Sequence, residues 1–338
     1  GDGSLPVSGW TGEYDWEGFV PFEDLPYDYN PKSGYVASFN NDPGNVNYHL
    51  THYYLFERAI RFENIMAGRG KGPVDFIELK GMQMDTLSVV AQRWVPRVLA
   101  VCKSTPGLAP YLKLLEDWDY TVDINSSAAT VFNYFYYLMM ENTLKDEVGE
   151  EMWEKGLGQE YLYYIPDLAL TRLINDPGNS LYDDQATPGV RENQADIILK
   201  SMDQTISYLG QTLGKNTAKW QWGLVHQMHF KHPLGEKLPF LNLSPIATNG
   251  SHHTINSGFW TPKQPFQMTS GGVIRMMVDF SNLEKSTIIS PPGQSGHFKS
   301  PYYDSMADIW AKGDQIPMRY TSAMGLTQIL TLVPGAGE

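Results

Sequence analysis

Apolar positions recur at helical spacing through the middle of the chain and break into shorter, turn-bounded runs towards both ends. Leu55, Ala59, Phe62 and Met66, spaced by four, three and four, predict a helix over Tyr53 to Met66 that Gly68 closes. A second helix is expected to open at Gln83-Met84-Asp85-Thr86-Leu87-Ser88 and to run through Val98 to Val101, and a third spans Tyr111 to Trp118. A fourth runs from Ser127 to Leu144, with a core stripe of Phe132, Phe135, Tyr136 and Met139. A fifth, Gln194 to Leu213, follows the break at Thr187-Pro188-Gly189. Val74 to Leu79 reads equally as a short strand or a helical turn.

After the Asn249-Gly250 turn the period shortens, and Thr254 to Ser257, Gly271 to Phe280 and Thr287 to Ser290 read as strands. Val273 to Val278 lacks alternation, as in a strand covered on both faces. Near the start, Tyr35 to Phe39 is a run of strand formers between the turn signals Asn30-Pro31 and Ser33-Gly34 and the turn Asp42-Pro43-Gly44-Asn45. A buried strand is therefore expected to end on two adjacent amides, Asn40 and Asn41. Strands, then a long helical block, then strands again make an α+β chain rather than an alternating βαβ one. The expected divisions are residues 1–48, 49–235 and 236–338. A second Asp-Pro-Gly-Asn at Asp176 is another copy of a good turn, because nothing flanking it recurs.

Composition narrows the class. With 42% hydrophobic, 13% aromatic and 19% charged residues over 338 positions, the chain is globular and large enough to bury a sizeable core. A formal charge of −13 and the absence of a Lys/Arg cluster speak against nucleic acid as a partner. The longest apolar run, from Val131 to Met140 and interrupted by Asn133, is too short to span a bilayer. Cys102 is the single cysteine, so there is neither an internal disulfide nor a thiolate metal cluster.

Several residues could carry chemistry. Asn at a strand end is ordinarily turn chemistry, but a neutral amide N–H held rigidly in a cleft can also stabilise a developing oxyanion. Glu13, Asp15, Glu17, Glu23 and Asp24 would suit a glycosidase pair only at a defined separation, which nothing in the sequence fixes, so they read as solvated loop charges. His226, His229 and His232 are spaced by three, which drifts around a helix instead of converging on one ion, so no metal is expected there. His49 and His52 share that spacing. Ser295, in Gly293-Gln294-Ser295-Gly296, lacks the strand-to-helix setting of a nucleophile elbow. Arg58 and Arg61 fall off the apolar stripe of the first helix and face either solvent or something polar.

The run Leu5-Pro6-Val7-Ser8-Gly9-Trp10-Thr11-Gly12, then Trp16, Gly18, Pro21-Phe22-Glu23, Asn30-Pro31, Ser33-Gly34-Tyr35 and Asn40-Asn41, resembles the penicillin acylase (penicillin amidase) family of N-terminal nucleophile hydrolases. Trp222-Gly223, His226, His232-Pro233-Leu234-Gly235, Pro292 to Gly296, Ser300-Pro301, Tyr303-Asp304, Trp310 and Pro317-Met318 extend the likeness. It implies a four-layer αββα fold with an inserted helical region, of which this chain matches the C-terminal two thirds of a β subunit. It also implies hydrolysis of an acyl amide through an acyl-enzyme on a serine that begins the β subunit. That serine and the α subunit lie outside this chain and would be its partners. On the same resemblance Asn40 is the oxyanion donor, and Arg61, in Arg58-Ala59-Ile60-Arg61, lies behind the catalytic centre. No cofactor is required. A family-type structural calcium would need a carboxylate near Leu50 and Thr51, where there is none. A periplasmic or secreted location is implied. The competing readings are a non-catalytic relative or assembly fragment of the same fold, and a carbohydrate-active module using exposed aromatics and acids.

Overall fold

The computed structural model describes residues 6–44, 56–70, 72–157, 164–260, 266–268 and 270–319. Its helices are α1 (Glu57–Gly68), α2 (Phe76–Gln83), α3 (Val89–Cys102), α4 (Ala109–Glu116), α5 (Ser127–Val148), α6 (Glu150–Met152), α7 (Tyr164–Leu173), α8 (Gln194–Thr212), α9 (Trp222–Val225) and α10 (Ala307–Ala311). Its strands are β1 (Gln227–Met228), β2 (Ile246–Ala247), β3 (Gly258–Phe259), β4 (Ser270–Gly271), β5 (Arg275–Met277), β6 (Thr287–Ile289) and β7 (Ile316–Pro317). The chain groups into two units. One comprises Gly1–Pro73, Met84–His229 and Ala247–Gly271, the other Val74–Gln83, Phe230–Ile246 and Gly272–Glu338.

In the first unit α5 is the central element. The Ser126 hydroxyl accepts the Ala129 amide N–H at 3.1 Å, capping its start, and Gly149, with φ 80°, ends it by donating to the Lys145 carbonyl. Val131 to Met140 is buried without interruption, so α5 is a helix covered on every side rather than an amphipathic one. Its most extensive neighbour is α8, where Asn193 and Asp196 form a capping box and Ile197, Ile198, Met202 and Leu209 are buried. Trp94 of α3 meets Tyr136 edge-on at 6.2 Å, and Tyr134 stacks on Tyr208 of α8 at 4.3 Å. The Ser88 side chain accepts from the Ala91 N–H, so α3 begins at Val89, later than the predicted opening at Gln83.

Strands are few. β3 pairs antiparallel with β4 in the register Gly258 to Gly271 and Phe259 to Ser270, while Thr254 to Ser257, expected as a strand, forms turns. Gly250, at φ 88°, has no room for a side chain, because a Cβ would collide with the Asn256 carbonyl. Tyr35 to Phe39 also differs from expectation. No strand forms within residues 6–44, because no described segment offers that stretch a hydrogen-bonding edge. Trp10, Trp16, Phe19, Phe22, Tyr27 and Tyr29 are all more than 80% exposed there.

In the second unit β5, β6 and β7 make an antiparallel sheet in which β6 is central, with Met276 opposite Ile288 and Ile288 opposite Ile316. β5 lies at its edge and alternates, with Arg275 and Met277 buried and Met276 exposed, so the double coverage expected of Val273 to Val278 is not found. Burial lowers the pKa of Arg275 to about 10. Its guanidinium donates to the Trp310 carbonyl at 2.6 Å and lies 4.9 Å from the Trp310 ring centroid. Gln83 of α2 donates to the Met276 carbonyl.

Phe135 is fully buried between the partners of α5. Phe135→Ala should cost about 3 to 5 kcal/mol, read as a lowered urea midpoint at unchanged slope.

Candidate active site

The amide pair predicted from the sequence sits at the end of an extended segment that α1 reaches back to touch. Asn40 adopts φ 62°, a left-handed conformation that Asn tolerates better than most residues. The Arg58 Nη2 donates to the Phe39 carbonyl at 2.8 Å and to the Asn40 Oδ1 at 3.0 Å. A guanidinium can only donate, so the atom facing it must be the amide oxygen. That sets the flip of the Asn40 side chain. Its NH2 group points away from Arg58 and makes no hydrogen bond among the described residues. Asn41 differs: its Oδ1 accepts the Phe39 N–H at 3.1 Å and its Nδ2 donates to the Asp42 carbonyl, so it closes the local turn. Phe62, one turn beyond Arg58, holds Tyr35 edge-on at 5.3 Å and Phe39 at 5.2 Å, fixing the segment to α1.

Arg61 faces elsewhere. Its Nε and Nη2 donate to the two carboxylate oxygens of Asp85 at 2.9 and 2.6 Å, and these bonds to Asp85 hold its pKa above the ordinary arginine value. Asp85 in turn accepts the Leu87 N–H on its carboxylate and the Asn256 N–H on its carbonyl. Arg61 therefore braces α1 against the loop before α3. Arg58 is the arginine that touches Asn40. Both lie off the apolar stripe, and the spacing alone could not say which of them reaches the amide.

Beneath the start of α1 lies a set of buried charges that sequence reading missed. Glu57 is 1% exposed, pairs with Arg93 of α3 at 3.3 Å, and leaves its Oε2 without a hydrogen bond. Burial raises its pKa. Asp167 of α7 accepts from the Tyr136 hydroxyl at 2.6 Å and pairs with the His253 Nε2 at 2.5 Å. Burial pulls His253 towards neutrality, but the charge and hydrogen bond of Asp167 and the charge of Glu57 outweigh it, and its pKa stands above the usual imidazole value.

His226 is fully buried, stacked on Trp222 at 4.6 Å, and its Nδ1 donates to the Phe266 carbonyl. It caps the end of α9 and is not on a common helix with His229 and His232. Among the described residues no three His, Cys, Asp or Glu side chains gather where they could hold a metal ion. His49, His52, Leu50 and Thr51 lie outside the described residues. Ser295 sits in a turn where its hydroxyl accepts the His297 N–H, and Glu13, Asp15, Glu17, Glu23 and Asp24 are exposed.

A family model described as penicillin amidase matches residues 1–324. An acyl-homoserine lactone acylase of Pseudomonas fluorescens is 27% identical over 362 residues, covering 99% of this chain and 43% of that protein. A penicillin acylase 2 proenzyme of a Pseudomonas species is 26% identical over 331 residues, covering 95% of this chain and 41% of that protein. The chain thus spans less than half the length of these relatives. A thermostable penicillin G acylase from Alcaligenes faecalis superposes with a TM-score of 0.57 over 96% of this chain and 61% of that one, at 16% identity. That last likeness is one of fold, and it agrees with the α+β architecture expected of an N-terminal nucleophile hydrolase.

Burial lowers the His226 pKa to about 4, against about 6.5 when unfolded. Its contribution to stability is complete above pH 6.5 and is lost as pH falls from there towards 4, by roughly 3 kcal/mol. Urea midpoints measured across that range should fall with acid, and His226→Gln, which cannot take up the proton, should flatten the slope.

Proposed function

The chain belongs to the penicillin amidase family, and we propose that it is the larger part of the β subunit of an enzyme that cleaves N-acyl amides. In this reading a serine on a segment outside this sequence attacks the amide carbonyl, with its own α-amino group taking the hydroxyl proton. The carbonyl oxygen becomes an oxyanion and receives the Asn40 Nδ2–H. Collapse of the tetrahedral intermediate expels the amine, which carries away the proton, and leaves an acyl-enzyme that water hydrolyses to the free acid.

The observation that carries this reading is the orientation of the Asn40 amide. Its oxygen is held on Arg58, so its N–H donors face away from that guanidinium and meet no acceptor among the described residues. A donor set before the reaction needs no reorganisation as charge develops, which is where such groups act most strongly. Arg58 also polarises the amide it holds, and Arg61 supports α1 through Asp85. The scheme needs no metal and no cofactor. The relatives named as acyl-homoserine lactone acylases favour an acyl chain on a small amine as the substrate class, with penicillin-type amides as the comparison set. The partners are the α subunit and the serine-bearing β segment of one precursor. The same reading makes the enzyme periplasmic or secreted. Among the described residues no helix is long and apolar enough to cross a membrane.

Assayed on mature enzyme, with the N-terminal serine verified by mass, Asn40→Ala should lower kcat by roughly a hundred- to a thousandfold with little change in Tm. Asn41→Ala should chiefly lower Tm. Retention of more than about a third of kcat by Asn40→Ala would remove Asn40 from the chemistry, since loss of an oxyanion donor costs far more. Acyl-homoserine lactones of graded chain length should outrun phenylacetyl amides in kcat/KM, and the reverse order would move the substrate class to the penicillin type.

A further inference from the structure

Two carboxylates with 1% and 2% exposure, Glu57 and Asp167, lie in the unit that holds Asn40, and a buried carboxylate stays ionised only with a cation or strong hydrogen-bond donors beside it. Arg93 stands by Glu57 and His253 by Asp167. Tyr136 adds a neutral hydroxyl to Asp167, and its ring meets that of His253 edge-on at 5.3 Å. Counting His253 as imidazolium, each of the two carboxylates has one cation beside it, and Arg58 of α1 is a further positive charge facing His253. It is contributed by α1, α3, α5, α7 and the loop before β3. Glu57 is the first residue of α1, and Arg58, which follows it, is the side chain bonded to Phe39 and Asn40.

We propose that Glu57, Arg93, Asp167 and His253 form a charge-paired clamp, with both carboxylates and His253 buried, that fixes the first turn of α1 and so positions Arg58 on the Asn40 amide. The proposal rests on Asn40 being the oxyanion donor. Glu57 and His253 are in this account positioning residues, acting through Arg58 without touching substrate. The charged and titratable groups facing His253 are Glu57 and Arg58 from α1, Asp167 from α7, Tyr136 from α5 and the neighbouring His252. His252, half-buried, is held well below the usual imidazole value by desolvation and by the positive His253 beside it. Loss of the His253 proton leaves the buried Asp167 without its paired cation under α1. A misplacement of about an ångström at a catalytic donor is enough to cost on the order of a hundredfold in rate.

The test uses mature enzyme and reads kcat, KM and Tm for Glu57→Gln, His253→Gln and the pair. Each single change unbalances the set and should lower kcat by on the order of tenfold or more, with KM unchanged. The double variant keeps one carboxylate and one cation and should recover most of the lost kcat. In an Asn40→Ala background the single changes should have no further effect on kcat. If the singles lower Tm but leave kcat alone, or if their losses simply add, the clamp is structural only and the proposal is wrong. If they act as strongly without Asn40, it is wrong for a different reason, because the route does not pass through that amide. Full kcat in Asn40→Ala itself would sink the oxyanion reading and the positioning role with it. Should the variants fail to fold, the wild-type enzyme still decides. Nitrogen NMR should find the His253 ring doubly protonated at pH 7, with kcat falling at alkaline pH on the same midpoint. A neutral His253 ring at pH 7 overturns the proposal.

Discussion

A helix whose side chains are buried all the way round cannot stand by itself, and α5 imposes that constraint on the first unit. Ten consecutive residues from Val131 to Met140 are out of water, so packing has to arrive from several directions. α4, α7, α8 and α9 all contact it, and Trp94 of α3 meets its Tyr136 edge-on. The helices that cover α5 also bring together groups far apart in sequence. Tyr136 meets Asp167 across 31 positions, and Asp167 meets His253 across 86. The polar groups under α1 meet among the helices packed around α5.

From that frame the candidate site is reached in short steps. α1 packs on α3 through the Glu57 to Arg93 pair, Arg61 ties it to Asp85, and Phe62 clasps Tyr35 and Phe39. Arg58 then stands within hydrogen-bond distance of Asn40. The partly exposed Arg61 to Asp85 pair contributes about a kilocalorie per mole or less, whereas the Glu57 carboxylate is buried and depends on Arg93 beside it. Their common effect is geometric. A donor that has to be in place before charge develops needs a rigid support more than a strong one.

Much of this was legible in the sequence where local patterns decide the outcome. The helices around Phe62, Trp94, Phe135 and Met202 follow apolar spacing, although the Ser88 cap starts its helix later than the spacing suggests, and the strand Thr287–Ile289 follows its turn-bounded run. Family resemblance pointed to Asn40 and to Arg61, whereas the arginine bonded to Asn40 is Arg58. Periodicity could not choose between Arg58 and Arg61, because that choice depends on where Asp85 and Phe39 fall in space. Glu57 was invisible for a related reason: a glutamate beside an arginine reads as a solvated helix surface until Arg93 and the buried pair of Asp167 and His253 are seen. The run Tyr35 to Phe39 has strand composition, but a strand requires a hydrogen-bonding edge that its own residues cannot supply.

The central claim is that the Asn40 amide, held by Arg58, donates to the oxyanion. It is tested most directly by the crystal structure of mature enzyme carrying a phosphonate acyl analogue, whose phosphonyl oxygen stands where the tetrahedral oxyanion would form. The account predicts that this oxygen lies about 3 Å from the Asn40 Nδ2, with Arg58 still bonded to the Oδ1. A phosphonyl oxygen directed to other donors, with the Asn40 side chain turned away, would contradict it.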